Sequence, residues 1–450
     1  MFSKTFHIKI YSFISLFFII GINPQKLQAQ EQENSIQVSS QLRPRFELRD
    51  GAFRPLAPNE KPAALISERI RLNFDYSYSD LLSVRISPQT VSVWGQANMV
   101  QGAENSGNRF ALYEAWTKMN INSEFNFKIG RQVISLDDER FFGELDWAQG
   151  GRVHDALSVN FKKDNYEVRG FLAYNQNYKT LYGNNLSNPT GNLYSASDAT
   201  PYKLMQTIWA AVPVGKYSKF TFLGTNLGFQ QALPTTKDTL TIYAQTAGVN
   251  FFHNSKKVTA NGSFYYQYSD NPKGLQTNAF LVAASASYNF NKKWNMGLGS
   301  DFVSGNDVGV VLNENNAFNP YFHTGHKFYG NMDYYYAGNG HKNAGLSDNY
   351  LKLNFKSSEG HTFSAALHQF CTPNTITDST KKIYNRDLGQ ELDLSFSLKL
   401  NKFANFMGGY SFYLNTPTLN FLKNVPLGKE YQQWLWLSLN VNPTLIKSKF

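Results

Sequence analysis

The sequence predicts an all-β chain: a transmembrane up-and-down antiparallel β-barrel of about 18 strands, with short periplasmic turns and long extracellular loops. Three observations predict it. Apolar and polar residues alternate in segment after segment, the period of two that a strand with one apolar face requires. Short and long connectors alternate between those segments. The composition joins 15% aromatic residues, among them 26 Tyr and 36 Phe, to only 17% charged residues at a mean hydropathy of −0.40. Aromatic and β-branched side chains suit a pleated surface. The balance excludes both a disordered chain and a bundle of membrane helices.

Taken in chain order, the first element is an export signal. Lys4 and Lys9 precede an apolar run from Ile10 to Ile22, and the following small or polar residues end in Leu27-Gln28-Ala29. That layout predicts a signal peptide over residues 1–29, cleaved near Ala29 or Gln30. The run is shorter than the ~20 residues of a spanning helix. No Cys lies near the cleavage site, so no lipid anchor is expected there, and the lone Cys371 allows no internal disulfide. Residues 30–450 contain no apolar run long enough for a transmembrane helix and read as one barrel.

The strands follow. Segment 36–48 puts Ile36, Val38, Leu42, Phe46 and Leu48 on one face, and Gln37, Ser39, Gln41, Arg43, Arg45 and Glu47 on the other. Segment 66–78 sets Ile70, Leu72, Phe74, Tyr76 and Tyr78 against Arg69, Arg71, Asn73 and Asp75. Further segments centre near 82–93, 110–121, 125–133, 155–161, 166–174, 205–214, 219–229, 239–252, 257–267, 277–290, 294–303, 348–356, 362–370, 390–400, 403–413 and 432–442. Most have the length of a tilted membrane strand.

Eight short polar turns join alternate pairs: "SYSD", "NSE", "KKDN", "GKYS", "HNSK", "NKK", "SSEGH" and "NK". Nine longer loops lie between them, the longest near 175–204, 304–347, 371–389 and 414–431. That alternation places both termini on the short-turn side, the periplasm of an outer-membrane barrel. A secreted sandwich or propeller would not produce it. Trp294 and Trp434, at strand ends, are expected in an interfacial aromatic girdle. The final Phe450 resembles the terminal signal read by the outer-membrane assembly machinery. A monomer in outer-membrane lipid is expected.

The sequence shows no Gly-rich phosphate loop, no zinc-ligand spacing, no nucleophile elbow and no repeat of 20–50 residues. His253, His323, His326, His341 and His368 are scattered without a motif. The expectation is therefore no metal, no cofactor and no enzyme, a barrel lipase included.

Charge points instead to an anion. The formal net charge is +10, and twelve of the thirteen arginines precede residue 170 while only eight of the thirty lysines do. Arg grips carboxylates through a planar fork, whereas Lys is a hydrated point charge. Alternation places Arg43, Arg45 and Arg49, then Arg69 and Arg71, then Arg85 on the lumenal face of three neighbouring strands. Arg169 joins them on the seventh. Rings of Arg or Lys select anions in pores. The same arginines could brace the wall, with Glu47, Glu68, Asp75, Glu114 and Glu391 as partners.

The stretch Gly130–Leu157 packs Arg131, Arg140 and Arg152 among six carboxylates. It reads as a loop folded into the pore. Asp137, Asp138, Glu139 and Asp155, with Trp147, are expected to brace it, and Arg131 and Arg152 to stand at its roots. Strict alternation puts Arg131 with Phe125, Phe127 and Ile129, facing lipid, where it is costly at mid-bilayer. The expectation is a strand end or bulge that turns it inward.

These residues resemble the alginate-export porin family. The resemblance rests on "LRPRFELRD", "VSVWGQ", "FALYEAWTKM", "IGRQVISLDDERFFGELDWAQGGRVHDAL", "HKFYGNMDYYY" and "LGQELDLSFSLKL", in the family's order over nearly the whole mature chain. The family's central pattern falls on Gly130, Arg131, Gln132, Arg140, Gly143, Trp147, Arg152, Asp155 and Ala156. His154 stands where the family usually has Phe. The resemblance implies an 18-stranded barrel and passage of an anionic polysaccharide through an arginine-lined constriction. The resulting reading is a passive porin for anionic sugars of uronic-acid type. Arg43, Arg45, Arg49, Arg69, Arg71, Arg85, Arg131, Arg140, Arg152 and Arg169 form or support the pathway. The alternatives are a general anion or nutrient porin and a structural or adhesive barrel; nucleic acid is not an expected partner.

Overall fold

The computed structural model describes residues 33–95, 109–177, 201–232, 239–270, 275–337 and 340–450; the expected signal peptide lies outside them. The strands are β1 (Asn34–Arg49), β2 (Ala63–Tyr78), β3 (Leu82–Val93), β4 (Arg109–Asn120), β5 (Phe125–Gln132), β6 (His154–Lys163) and β7 (Tyr166–Tyr174). There follow β8 (Leu204–Val214), β9 (Ser218–Ala232), β10 (Thr239–Asn254), β11 (Val258–Asp270), β12 (Gln276–Asn289), β13 (Trp294–Val303), β14 (Leu346–Lys356) and β15 (Thr362–Cys371). The last are β16 (Ile376–Thr377), β17 (Ile383–Tyr384), β18 (Asp387–Lys399), β19 (Ala404–Asn415), β20 (Tyr431–Val441) and β21 (Thr444–Lys449).

Apart from the small β16–β17 hairpin, all belong to one antiparallel sheet in which each strand pairs with its neighbours along the chain. The sheet closes because β1 pairs with β2 on one side and with β20 and β21 on the other. β20 and β21 are halves of one stave, interrupted at Asn442-Pro443, where proline has no N–H to donate. The barrel therefore has 18 staves, the expected number. Closure leaves no unpaired edge, the condition for strands to cross lipid. At the seam, Phe450 and Asn34 exchange backbone hydrogen bonds of 2.8 and 3.0 Å.

Local chemistry makes the short turns. Asn122, Asn291 and Asn401 each sit in one, and their side chains accept from backbone N–H groups two or three residues on. This is the Asx turn, which closes a hairpin without glycine.

The alternation is realised as two faces. Leu392 and Leu394 are exposed on the outer wall, while Glu391 and Asp393 between them are buried inside. Trp294 stands on the outer wall beside Phe355, as a girdle residue should. Trp434 does not. It is fully buried and points inward with Trp436, because Leu435 and Leu437 take the outer face of β20.

The apolar core lies inside the barrel. Two loops fold into the lumen: loop 3 (residues 133–153) and loop 7 (residues 304–345). Loop 3 supplies Ile134, Leu136, Phe141 and Phe142, and loop 7 supplies Phe318, Phe322, Tyr329, Met332 and Tyr334. These pack on inward wall residues such as Met205, Leu227, Tyr265, Leu281 and Phe370. The loops are also stitched together. Phe142 and Phe322 form a parallel bridge, and Thr324 N–H donates to the Glu139 carbonyl at 3.1 Å.

Candidate functional site: the lumen and its folded loops

The arginine wall is built by strand parity. Odd positions of β1 from Gln41 to Arg49, and of β2 from Ser67 to Asp75, face the lumen. Arg43 and Arg69 are direct cross-strand neighbours, two like charges opposed, which is unfavourable unless something sits between them. Loop 3 supplies it. Asp146 accepts from Arg69 at 2.7 Å and from Arg43 at 3.2 Å. Gln149 accepts from Arg43 at 2.9 and 3.0 Å, and its amide donates to Ser67 and to the Arg43 carbonyl. Burial pushes the Asp146 carboxyl up, but Arg69 and Arg43 outweigh it and hold the group below its ordinary range. Arg45 pairs with Glu47 at 2.8 Å and lies 4.1 Å over the Trp147 ring, whose carbonyl it also contacts. Arg49 donates to the Met332 carbonyl of loop 7 and stacks on Phe53 and Trp434.

The other end of loop 3 is anchored across the lumen. Arg140 bridges Asp138 at 2.8 Å and Asp301 of β13 at 2.6 Å, all three nearly sealed from solvent. Asp137 accepts from Trp209, Thr221 and Asn250 on three further strands. Glu139 holds Lys327 of loop 7 at 3.4 Å. Trp147 stacks on His326 at 3.9 Å. Asp137, Glu139 and Trp147 thus each tie loop 3 to the wall or to loop 7, and Asp138 holds the Arg140 that reaches Asp301.

Three expectations need correction. Arg131 does not turn inward. It keeps the outer-wall parity of β5 and pairs bidentately with Asp155, its direct cross-strand neighbour, at 2.8 and 2.9 Å. The cost of an outward arginine is met by a partner carboxylate at the strand ends, not by a bulge. Asp155 is therefore no brace for the loop's interior: it opens β6 on the outer wall. Arg152 is half-buried and, among the described residues, has no carboxylate within ion-pair distance. It donates to the His323 carbonyl at 2.8 Å, and burial lowers it to about 10. Glu68, offered as a lumenal partner, lies on the outer face and accepts from Trp94.

The motif Gly130-Arg131-Gln132 with Asp155-Ala156 now has a physical reading. Gly130 pairs with Ala156, Arg131 with Asp155 and Gln132 with His154. Gly130 has a φ of +121°, and a Cβ there would stand 2.2 Å from the Ala115 carbonyl oxygen. His154 fills the aromatic slot: it packs edge-on against Phe142 and Phe322 and contacts the Tyr202 hydroxyl at 2.8 Å.

The arginine cluster is thus mostly satisfied. Arg85 grips Asp75 at 2.6 Å and Glu114 at 3.2 Å, and Arg169 grips Glu167 at 2.7 Å. Among the described residues Arg71 contacts no carboxylate. It donates to Gln89 and lies 3.4 Å over Tyr113. Near it stands Glu144, a loop carboxylate that makes no ion pair among the described residues; burial, then Asp146 and Glu139, push it up. Arg71, Tyr113 and Glu144 lie together where the wall meets loop 3.

Sequence reasoning missed the lysines. On β4, β5, β6 and β9, Lys118, Lys128, Lys162 and Lys219 share the inward parity of Glu114, Gln132, Ser158 and Thr221. None has a carboxylate within ion-pair distance among the described residues. Lys118 directly opposes Lys128, and Lys128 lies 4.9 Å over Trp116. A like-charge pair of this kind is unfavourable. Alternation would have found these residues; the search followed arginine because arginine was unevenly spread.

A family model described as alginate export matches residues 35–414. The chain belongs to the alginate-export family. No curated protein sequence matches it. Among solved structures, this alginate-export chain is similar to OccK5 (OpdH) of Pseudomonas aeruginosa, at 9% identity and a TM-score of 0.60, covering 91% of this chain and 98% of that one. It is similar to P. aeruginosa OpdK with vanillate, at 11% identity and 0.59, with 91% and 98% covered. Acinetobacter baumannii OccAB1 gives 12% and 0.57, with 91% and 97% covered. At such identities the likeness shows the fold: an outer-membrane porin barrel.

Proposed function

We propose that this alginate-export family member is a passive outer-membrane porin for anionic solutes, with uronic-acid-type oligosaccharide or polysaccharide as the solute class. The observation that carries the proposal is the set of inward Lys118, Lys128, Lys162 and Lys219, without carboxylate partners among the described residues, together with Arg71 beside loop 3. Wall cations not neutralised by the wall raise the local concentration of anions. Trp116 among them offers an aromatic face to a sugar ring. Arg43, Arg45, Arg69 and Arg140 support the pathway by holding loop 3 against the wall, and no residue is assigned a chemical step. The tightly packed apolar core around loops 3 and 7 favours a second reading, a porin for small anions alone. Flux into liposomes separates the two. Uronate oligomers entering faster than neutral oligosaccharides of equal length support the proposal. Entry of monovalent uronate, with every oligomer excluded, supports the second reading.

A further inference from the structure

β14, β15 and β18 stand beside loop 7, and β18 holds it by two carboxylates. Glu391 accepts from Met332 N–H at 2.7 Å, and Asp393 from Asn331 N–H at 3.2 Å. Asp348 contacts His368 at 2.9 and 3.0 Å. Beneath the loop-7 turn these strands enclose a niche of about 220 Å³. That is the space of about seven water molecules, room for one pyranose ring and too little for a run of them.

The niche is lined by Lys352, Lys327, His326, Asn331, Ser395 and Asp393. Some of these groups are already engaged. Asp393 is buried and accepts from Ser411 and from loop 7, Lys327 reaches Glu139, and His326 contacts Asp333. Others are not. Among the described residues Lys352 contacts no carboxylate within ion-pair distance, its recorded contact being the Tyr350 ring at 4.6 Å. Among the described residues neither Ser395 nor the Asn331 side chain has a protein hydrogen bond. A cation, a hydroxyl and an amide therefore converge unsatisfied on one ring-sized space. Gly330 lets the loop close over it: its φ is +80°, and a Cβ would stand 2.3 Å from Glu391 Oε2.

We infer that this niche binds a single acidic sugar ring, with Lys352 taking the carboxylate and Ser395 and Asn331 the hydroxyls. The inference rests on the proposed anion-conducting function and adds a resting site beside the pathway. Asp348, Asp301 and Asp393 act on Lys352 only through space, so a uronate carboxylate gives it the direct ion pair that a hexose cannot, and the niche discriminates between them.

The test is current block of single channels of the full-length protein in planar bilayers, with glucuronate added and glucose as control. Lys352→Gln weakens glucuronate block about tenfold, the loss of one charge-assisted hydrogen bond, and Lys352→Arg restores it. Ser395→Leu fills the niche without altering charge and has the same effect, so a folding failure of one variant does not decide the matter. Equal block in wild type, Lys352→Gln and Ser395→Leu overturns the niche; if Lys118→Ala/Lys128→Ala still relieves that block, the proposed function survives. No glucuronate block of the wild type overturns both.

Discussion

Arg140 is 5% exposed and its partner Asp301 is 1% exposed, so neither is a selectivity residue. Removing one member of such a pair strands the other, at a cost of about 3–5 kcal/mol. Arg140→Leu should lower the barrel's unfolding midpoint, read from the mobility shift of heated samples, while Asp301→Asn with Arg140→Leu recovers part of it. Arg131 and Asp155 predict the opposite kind of result. They face outward, so Arg131→Leu with Asp155→Leu should leave conductance and ion preference unchanged in bilayer recordings; a changed ion preference would place Arg131 in the pathway after all. Glu144 carries a pH prediction. Burial and its acidic neighbours raise it above the ordinary value of 4.5. Its charge is thus lost at higher pH than that of a free Glu. As pH falls, loop 3 loses a negative charge beside Arg71, and anion preference rises, beginning above pH 4.5. Glu144→Gln should flatten that profile. At this scale, period two puts Arg43, Arg45, Arg49, Arg69, Arg71, Arg85 and Arg169 on the inner face and Arg131 on the outer one, where the ion pair with Asp155 keeps it. What it could not supply was the partner. Asp155 lies 24 positions away, and only the β5–β6 register makes it a neighbour.

Loop 3 and loop 7 act as one element. The Phe142–Phe322 bridge, the Arg152–His323 contact and the Trp147–His326 stack lock them together. Replacing residues 311–343 of loop 7 by a short Gly/Ser linker should strip these contacts from loop 3. Single-channel conductance then rises, and protease added outside cuts between 133 and 153. Unchanged conductance with an uncut loop 3 would show that the wall alone holds it. Strand existence, order and short turns were legible because alternation and Asx chemistry are local. The expected inward fold of loop 3 was legible from its charge density. The share of loop 7 was not: "HKFYGNMDYYY" shows no period, and its tyrosines become core only where β15, β19 and the rest of the folded loop stand against them. Trp434 failed for a related reason, since an aromatic residue at a strand end suits a girdle or a lumenal core equally until its parity is read.

At the scale of the molecule, the barrel spends its arginines on architecture and leaves its lumenal field to lysine. The wall of β1 and β2 grips loop 3 through Asp146, β13 grips loop 3 through Asp301, and β18 grips loop 7 through Glu391 and Asp393. Arg serves the first task because its fork binds carboxylates in fixed geometry, and Lys the second because a hydrated point charge attracts without trapping. On the proposed function, the lysines of β4, β5, β6 and β9 set the field and most of the arginines hold the architecture. The reversal potential under a KCl gradient tests this most directly, comparing wild type with Lys118→Ala/Lys128→Ala in planar bilayers. The account predicts an anion-selective wild type whose preference falls in the double variant. A wild type without anion preference, or a double variant that keeps it in full, would contradict the account.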